Sequence, residues 1–348
     1  MNLKLSKHCI SQNSTIKDAL AQINSLRDAS LVLFVITKSN IVVGSITDGD
    51  IRRSLLAGFV LSDNVCKIMQ KNFKYVLDIS DYKKISLLKK EDLKIVPHVT
   101  KKFALIDLID LTKTRAVLPI CAIIMAGGKG LRLKPFTNNY PKPMLPLGDK
   151  PIIAHNIDRL ISYGIKKIYI SVNHMKEQII KYIEANYADY DISFIHEDVP
   201  LGTIGAIRQI KNLKHKDVLV MNADILTNID YYDFFVDYKE LNYDMAVSTF
   251  NVRINIPYAV LDTVGTKIKS FIEKPSYVYH SNAGIYLLKK EHIKYIPKNK
   301  KYDSTDLIEK LIRLNKSVGH FSIRGYWLDI GNAQNYAKAQ DDVKHIKF

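Results

Sequence analysis

From about residue 120 to residue 250 the apolar residues come in two rhythms. Short β-branched runs read as buried strands: Cys121–Met125, Lys167–Val172, Ile192–His196, Val218–Met221 and Met245–Phe250. Between them, apolar residues spaced three and four apart read as helices over Ile152–Tyr163, Lys176–Asn186, Leu201–Lys211 and Tyr231–Leu241. Strand and helix in strict alternation predict an α/β domain with a mostly parallel, Rossmann-like sheet covered on both faces. In such sheets ligands sit beyond the carboxyl ends of the strands.

The first third of the chain has a different texture. Ile16, Leu20 and Ile23 lie at helical spacing behind Ser14 or Thr15 as N-cap, and 31–37 and 41–46 read as short strands. A strand then turns into a helix at Thr47 or Asp48. Residues 66–112 repeat this scheme more loosely: helix faces near 65–69 and 85–88, a strand at 95–99, and a closing strand and turn at 103–110. The period is about 50 residues. A short passage from Leu111 to Pro119 reads as a linker, which divides the chain into a smaller α/β domain at 1–115 and a larger one at 118–348.

Composition changes this picture little. Hydrophobic content of 47% and charged content of 25% are ordinary for a soluble globular protein. No apolar run is long enough to span a bilayer, so no membrane partner is expected. The first ten residues lack the apolar core of a secretory signal. Cys9, Cys66 and Cys121 are odd in number and far apart, which fits a reduced, cytoplasmic setting better than a disulfide framework. The net charge of +16 raises the question of nucleic acid. Lys and Arg outnumber Asp and Glu by 19 to 11 in residues 1–117 and by 32 to 24 in the remainder, so each part carries +8. An excess spread this evenly attracts anions in general, and no nucleic-acid partner is expected.

The chemistry is concentrated after the first strand of the larger domain. Ala126-Gly-Gly-Lys-Gly-Leu-Arg132 breaks that strand into glycines and cations. Glycines let backbone N–H groups approach phosphate oxygens, and cations neutralise them. The spacing fits neither the P-loop nor the dinucleotide fingerprint. Further along come Pro141-Lys-Pro-Met-Leu-Pro146, Glu197-Asp-Val-Pro-Leu-Gly-Thr203 and Val220-Met-Asn-Ala-Asp224. Phe271-Ile-Glu-Lys-Pro275, Ser281-Asn-Ala-Gly-Ile-Tyr286 and Tyr326-Trp-Leu-Asp-Ile-Gly331 complete the set. Each alone reads as a solvated turn or a strand cap.

Together and in this order, these motifs resemble the sugar-1-phosphate nucleotidyltransferases over about residues 118–340. The resemblance implies that the Ala126, Gly127, Gly128 and Gly130 loop holds the triphosphate, with Arg132 as its main cation. It implies that Lys142 is aimed at the reacting phosphates and that Asp224 and Asp329 hold Mg²⁺, an ion that favours one or two carboxylates plus phosphate oxygens. It gives Glu273 the sugar hydroxyls, Lys274 the sugar phosphate, and Asn282 and Gly284 further sugar contacts. Leu131 stands where the family usually has Thr or Ser, so a hydroxyl contact to phosphate is lost.

Glu197 and Gly202 carry the reading of the base. Many relatives that use UTP or dTTP have glutamine where this chain has Glu197. A carboxylate only accepts hydrogen bonds, which suits the two adjacent donors of guanine. GTP is therefore the expected donor, with UTP, dTTP or CTP as alternatives. The acceptor implied by resemblance is glucosamine 1-phosphate, with mannose 1-phosphate and a manno-heptose 1-phosphate left open.

Residues 1–113 resemble a pair of CBS domains. The stretch Gly44-Ser-Ile-Thr47-Asp-Gly-Asp50 follows that family's nucleotide signature except at Ser45. The resemblance gives Thr47 a phosphate and Asp50 the ribose hydroxyls of an adenine nucleotide. The same residues also serve as a helix cap, and both readings stand at this stage. Such a pair is also expected to form a homo-oligomer. A regulatory protein with an inactive second domain is the reading from another class. The presence of Arg132, Lys142, Asp224, Lys274 and Asp329 together argues against it.

Overall fold

The protein is described from a computed structural model, which covers residues 6–26, 30–78, 81–91, 93–112 and 115–346. Lys113 and Thr114 of the expected linker lie outside these residues. The chain divides into two compact units, residues 1–119 with 162–164 and residues 120–161 with 165–348. Among the described residues no helix is long and apolar enough to cross a membrane.

In the smaller unit, strands β1 (Cys9–Ser11), β2 (Val32–Ile36) and β3 (Val42–Thr47) form one sheet, with β1 parallel and β3 antiparallel to β2. Helix α1 (Ile16–Ser25) packs Ile16, Ala19 and Ile23 into the core, and α2 (Asp48–Leu56) contributes Ile51. After α3 (Tyr82–Lys90), β4 (Ile95–Val99) and β5 (Leu105–Asp110) pair as an antiparallel ribbon. The expected helix face at 65–69 is only a 3-10 turn, Val65–Lys67. The looser second repeat thus has a helix and two strands but no counterpart of α2 among the described residues.

The larger unit is built on strand β6 (Cys121–Met125). A ribbon of two short strands, β7 (Pro146–Leu147) and β8 (Lys150–Pro151), leads into α4 (Ile152–Ser162). Then follow β9 (Lys167–Val172), α5 (Lys176–Asn186), β10 (Asp191–His196), β11 (Asp217–Asn222), β12 (Ile225–Thr227), α6 (Tyr231–Glu240) and β13 (Met245–Asn255). A hairpin of β14 (Val260–Val264) and β15 (Lys267–Ile272) precedes the long strand β16 (Ser276–Lys289). The chain closes with α7 (Ser304–Arg313), β17 (Val318–Ser322), β18 (Trp327–Asp329) and α8 (Ala333–Asp342).

Seven strands make the main sheet in the order β10-β9-β6-β11-β16-β13-β17. Every neighbouring pair is parallel except the two made by β16, so the sheet is mostly parallel, as the alternation of elements predicts. Cys121, Ala122, Ile123 and Ile124 of β6 and Val218 to Met221 of β11 are fully buried, which explains their unbroken apolar runs.

One expected helix is absent. The apolar spacing of Leu201–Lys211 predicts a helix, but only Gly205–Gln209 forms, as a 3-10 turn. The physical reason is that 201–204 pairs instead with distant backbone: Tyr302 N–H donates to the Leu201 carbonyl at 2.9 Å and Ile204 N–H to the Tyr302 carbonyl at 3.2 Å. Gly202, at φ +81°, allows this approach, since a Cβ there would lie 2.6 Å from the Tyr302 carbonyl oxygen.

Ile123, fully buried in the central strand of the larger core, measures how much that core contributes. Ile123→Ala should destabilise by about 2–5 kcal/mol. Urea unfolding checks this, with a lower midpoint at an unchanged slope as the expected result.

Candidate functional site

The glycine loop leaves β6 with Ala126 held by its N–H to the Ser171 carbonyl on β9, at 2.9 Å. Gly127 is glycine for want of space, because a Cβ would lie 2.6 Å from Glu197 Oε1. Gly130 has φ +63°, and a Cβ there would meet the Lys142 Cβ at 2.9 Å. The Thr137 hydroxyl donates to the Gly130 carbonyl at 2.9 Å, which fixes the turn before the 3-10 segment Leu131–Leu133. Gly128 and Lys129 stand exposed at the crest.

Lys142 sits in a 3-10 turn between Pro141 and Pro143 and is buried, 8% exposed. Its ammonium bonds the Asp224 carboxylate and lies 3.8 Å from Asp329 Oδ1. Asp224 follows β11, and Asp329 ends β18. The two acids meet because β12 and β18 are antiparallel neighbours, with Ile225 opposite Asp329 and the Ile330 N–H donating to the Asp224 carbonyl at 3.0 Å. Arg132 reaches the same place: an ideal Cβ on Gly331 would be 3.1 Å from Asp329 Oδ2 and 3.4 Å from the Arg132 guanidinium. Gly128, Gly130, Arg132, Lys142, Asp224 and Gly331 line a cleft of about 400 Å³.

The electrostatics of this cleft are unbalanced. Burial raises the Asp329 carboxyl above the usual carboxylate range, and the Asp224 charge raises it further. Lys142 and Arg132 offset only part of this. Asp224 Oδ1 and Asp329 Oδ1 are buried without a hydrogen-bond partner among the described residues. Two adjacent carboxylates, each with an unused oxygen, are a donor set that fits a hard divalent cation, which would also relieve their mutual repulsion.

The residues expected to contact a sugar divide into two groups. Gly284, at φ +73°, packs so closely that a Cβ would lie 2.8 Å from the Asn222 amide and from Ile225, on either side of Asp224. Asn282 accepts from the Gly284 N–H at 2.9 Å. Trp327, two residues before Asp329, donates its ring N–H to the Ala283 carbonyl at 2.9 Å and stacks on Phe250 at 3.9 Å. This region is therefore joined to the carboxylate strands. Glu273 and Lys274 lie exposed after the β14–β15 hairpin, and neither makes a side-chain hydrogen bond or ion pair among the described residues. Among the described residues no hydrogen bond or ion pair joins them to the carboxylates.

Glu197, expected to accept from the base, already has partners in the protein. It is 6% exposed; Oε1 accepts from the Ser171 hydroxyl and Oε2 from the Leu201 N–H at 2.8 Å. Gly202 is likewise required by the packing of its turn. In the smaller unit, Thr47 and Asp50 form a capping box on α2, with Asp50 Oδ2 accepting from the Thr47 hydroxyl and N–H. Asp50 Oδ1 takes Arg53 at 2.7 Å and Gln70 at 3.1 Å. Burial raises the Asp50 carboxyl, but these hydrogen bonds outweigh it and hold it below the usual range. The helix-cap reading accounts for both residues without a ligand, and leaves Asp50 no free oxygen for a ribose.

Sequence reasoning missed Ser171, Thr137 and Tyr286. Ser171 alone left a signal, a fully buried hydroxyl in the apolar strand β9.

The fold and this loop–lysine–carboxylate arrangement define a class. Residues 121–345 match the family model described as nucleotidyl transferase, and the chain belongs to that family. It is similar to the bifunctional protein GlmU of Methanococcus maripaludis, 35% identical over 230 residues, which are 63% of this chain and 53% of that protein. A mannose-1-phosphate guanyltransferase of Yarrowia lipolytica is 30% identical over 223 residues, 62% of this chain and 61% of its own length. The chain thus spans about half to three-fifths of the curated relatives it matches. Among solved structures, HddC from Yersinia pseudotuberculosis superposes with a TM-score of 0.52 at 28% identity, covering 64% of this chain and 99% of that one. HddC has also been solved complexed with GMP-PN.

The strained Asp329 gives a stability test. Its raised carboxyl means that ionisation costs folding energy at neutral pH, a cost that disappears as pH falls through that raised value. Asp329→Asn should therefore raise Tm at pH 7 in the absence of divalent ions, and the gain should shrink as the pH falls from the raised value toward the ordinary carboxylate value. Thermal melts across that range check it.

Proposed function

We propose that this chain transfers GMP from GTP to a sugar 1-phosphate, releasing pyrophosphate. The observation that carries the proposal is the pair Asp224 and Asp329, on adjacent strands, facing Lys142 and Arg132 at the mouth of the glycine loop. An oxygen of the sugar phosphate attacks the α-phosphorus. The new P–O bond forms as the bond to the β-phosphate oxygen breaks, and pyrophosphate leaves with that electron pair. No protein nucleophile is needed; positioning and charge neutralisation suffice.

The exposed backbone around Gly128 receives the triphosphate, and Arg132 neutralises its oxygens. Lys142, held between two prolines, offers a cation already in place. A bound Mg²⁺ would be held by Asp224 and Asp329 and would supply charge stabilisation at the reacting phosphates. Lys274 and Glu273, whose side chains have no protein partner among the described residues, are given the sugar phosphate and the sugar hydroxyls. Asn282 and Gly284 complete the acceptor side.

The choice of guanine rests on Glu197 and on likeness to relatives named guanyltransferases. Each carboxylate oxygen accepts more than one hydrogen bond, so Glu197 can keep Ser171 and Leu201 and still accept from a guanine edge. Glucosamine 1-phosphate is the proposed acceptor. The resemblance here is to the glucosamine-1-phosphate guanylyltransferase of bacterial legionaminic acid biosynthesis, which carries an N-terminal CBS pair. Mannose and manno-heptose 1-phosphates are the alternatives, and the Yarrowia relative's name favours mannose. A cytoplasmic setting belongs to the same proposal. Residues 1–115 are proposed to be a CBS pair that makes the protein a homo-oligomer, since Thr47 and Asp50 are already engaged with each other.

Pyrophosphate release measured with each NTP against a panel of sugar 1-phosphates tests the reading. GTP should be the fastest donor; faster turnover of UTP or dTTP would defeat the guanine assignment. Arg132→Ala, Asp224→Asn and Asp329→Asn should each lower kcat roughly 10²–10³-fold. Near-normal turnover in both Asp variants would defeat the metal assignment.

A further inference from the structure

Asn282 is exposed, yet its amide is not free to turn. Its Oδ1 accepts from the Gly284 N–H at 2.9 Å and its Nδ2 donates to the Tyr286 hydroxyl at 2.9 Å. A backbone N–H can only donate, so the oxygen must face Gly284 and the amide has a single orientation. One N–H and one lone pair are left over, on the exposed side. Pinned at both ends, the amide presents that donor and acceptor in one fixed direction, which suits a ligand that must meet both.

Tyr286 is itself held. It is 2% exposed, and its hydroxyl lies 2.8 Å from the Ser304 Oγ. Ser304, the first residue of α7, donates its N–H to the Thr203 hydroxyl at 2.8 Å, and the Thr203 N–H donates to Asp303 at 2.9 Å. Thr203 belongs to the turn whose Leu201 N–H bonds Glu197. The hydroxyls of Tyr286, Ser304 and Thr203 thus form a hydrogen-bonded line from the Glu197 turn to the Asn282 amide, with Tyr286 and Ser304 buried and Thr203 at its exposed end.

We infer that Tyr286 and Ser304 are positioning residues that fix the Asn282 amide for an acceptor carrying adjacent hydroxyl groups. The inference rests on the transferase reading above and adds to it two residues that touch neither substrate. A hydroxyl-bearing acceptor needs both a donor and an acceptor at a set angle. The phenol hydroxyl imposes that angle, and Ser304 keeps the phenol from rotating its hydrogen away.

The test is a double-mutant cycle between Tyr286→Phe and Asn282→Ala, read as KM for the sugar 1-phosphate. Phe keeps the ring in the core and removes only the hydroxyl. Tyr286→Phe should raise that KM roughly three- to tenfold, the loss expected for one neutral hydrogen bond, with kcat and the KM for GTP within twofold of the wild type. In the Asn282→Ala background the same change should have no further effect on the sugar KM, because Tyr286 acts only through Asn282. A lowered Tm with unchanged sugar KM, or effects that multiply in the double variant, would overturn the inference while leaving the transferase reading intact. Wild-type protein that turns over no sugar 1-phosphate with any NTP would overturn both.

Discussion

The site depends on one constraint: two carboxyl groups are held side by side while partly withdrawn from water. Asp224 and Asp329 are forced together by the pairing of β12 with β18, and their repulsion is met by Lys142, itself buried. Neither strand alone could hold such a pair. Two prolines limit the freedom of Lys142, the left-handed Gly130 leaves room for its Cβ, and Thr137 locks that glycine. Removing any one of these supports would leave a charge misplaced in a low-dielectric cleft, where the cost is high. The unused oxygens on both acids show that Lys142 compensates the pair incompletely. That shortfall of positive charge is what a substrate complex with a divalent cation would supply.

The parallel sheet explains why these groups converge. β6 and β11 are neighbours, so the glycine loop and Asp224 leave the sheet at the same edge, and the Ala223 N–H bonds the Met125 carbonyl at 3.1 Å. The antiparallel strand β16 then brings Gly284 against Asn222 at the end of β11 and sets Asn282 opposite Thr249 of β13. Its first half pairs with the end of β13 as a largely exposed ribbon. The glycine loop and the carboxylates are therefore buried at their base, and of the residues proposed for the acceptor one part, Asn282 to Gly284, is anchored and the other, Glu273 and Lys274, is exposed.

Much of this was legible in the sequence because it is carried by short-range pattern. The apolar runs of β6, β9 and β11 and the spacing of α4, α5 and α6 follow from burial on both faces of a sheet. Lys142 between prolines and an aspartate at a strand end are likewise local signals. What escaped was set by distant backbone. Leu201–Lys211 has helical spacing, but its first turn is taken by Tyr302 and Asp303, about a hundred residues away. Glu197 looked like an open acceptor because nothing near it in sequence shows that Ser171 and Leu201 occupy it. Asp50 matched a nucleotide signature and a capping box equally well, and only the Arg53 and Gln70 bonds separate them. Tyr286 and Ser304 carried no sequence signal, being single polar groups in apolar surroundings whose partners lie on other elements.

The central claim is the direction of transfer, and isotopic labelling tests it most directly. With glucosamine 1-phosphate as acceptor, GTP labelled at the α-phosphate should deliver its label to a sugar nucleotide. GTP labelled at the γ-phosphate should deliver its label to pyrophosphate in equal amount. Label from the γ-phosphate on the sugar, or release of inorganic phosphate without a sugar nucleotide, would contradict the account.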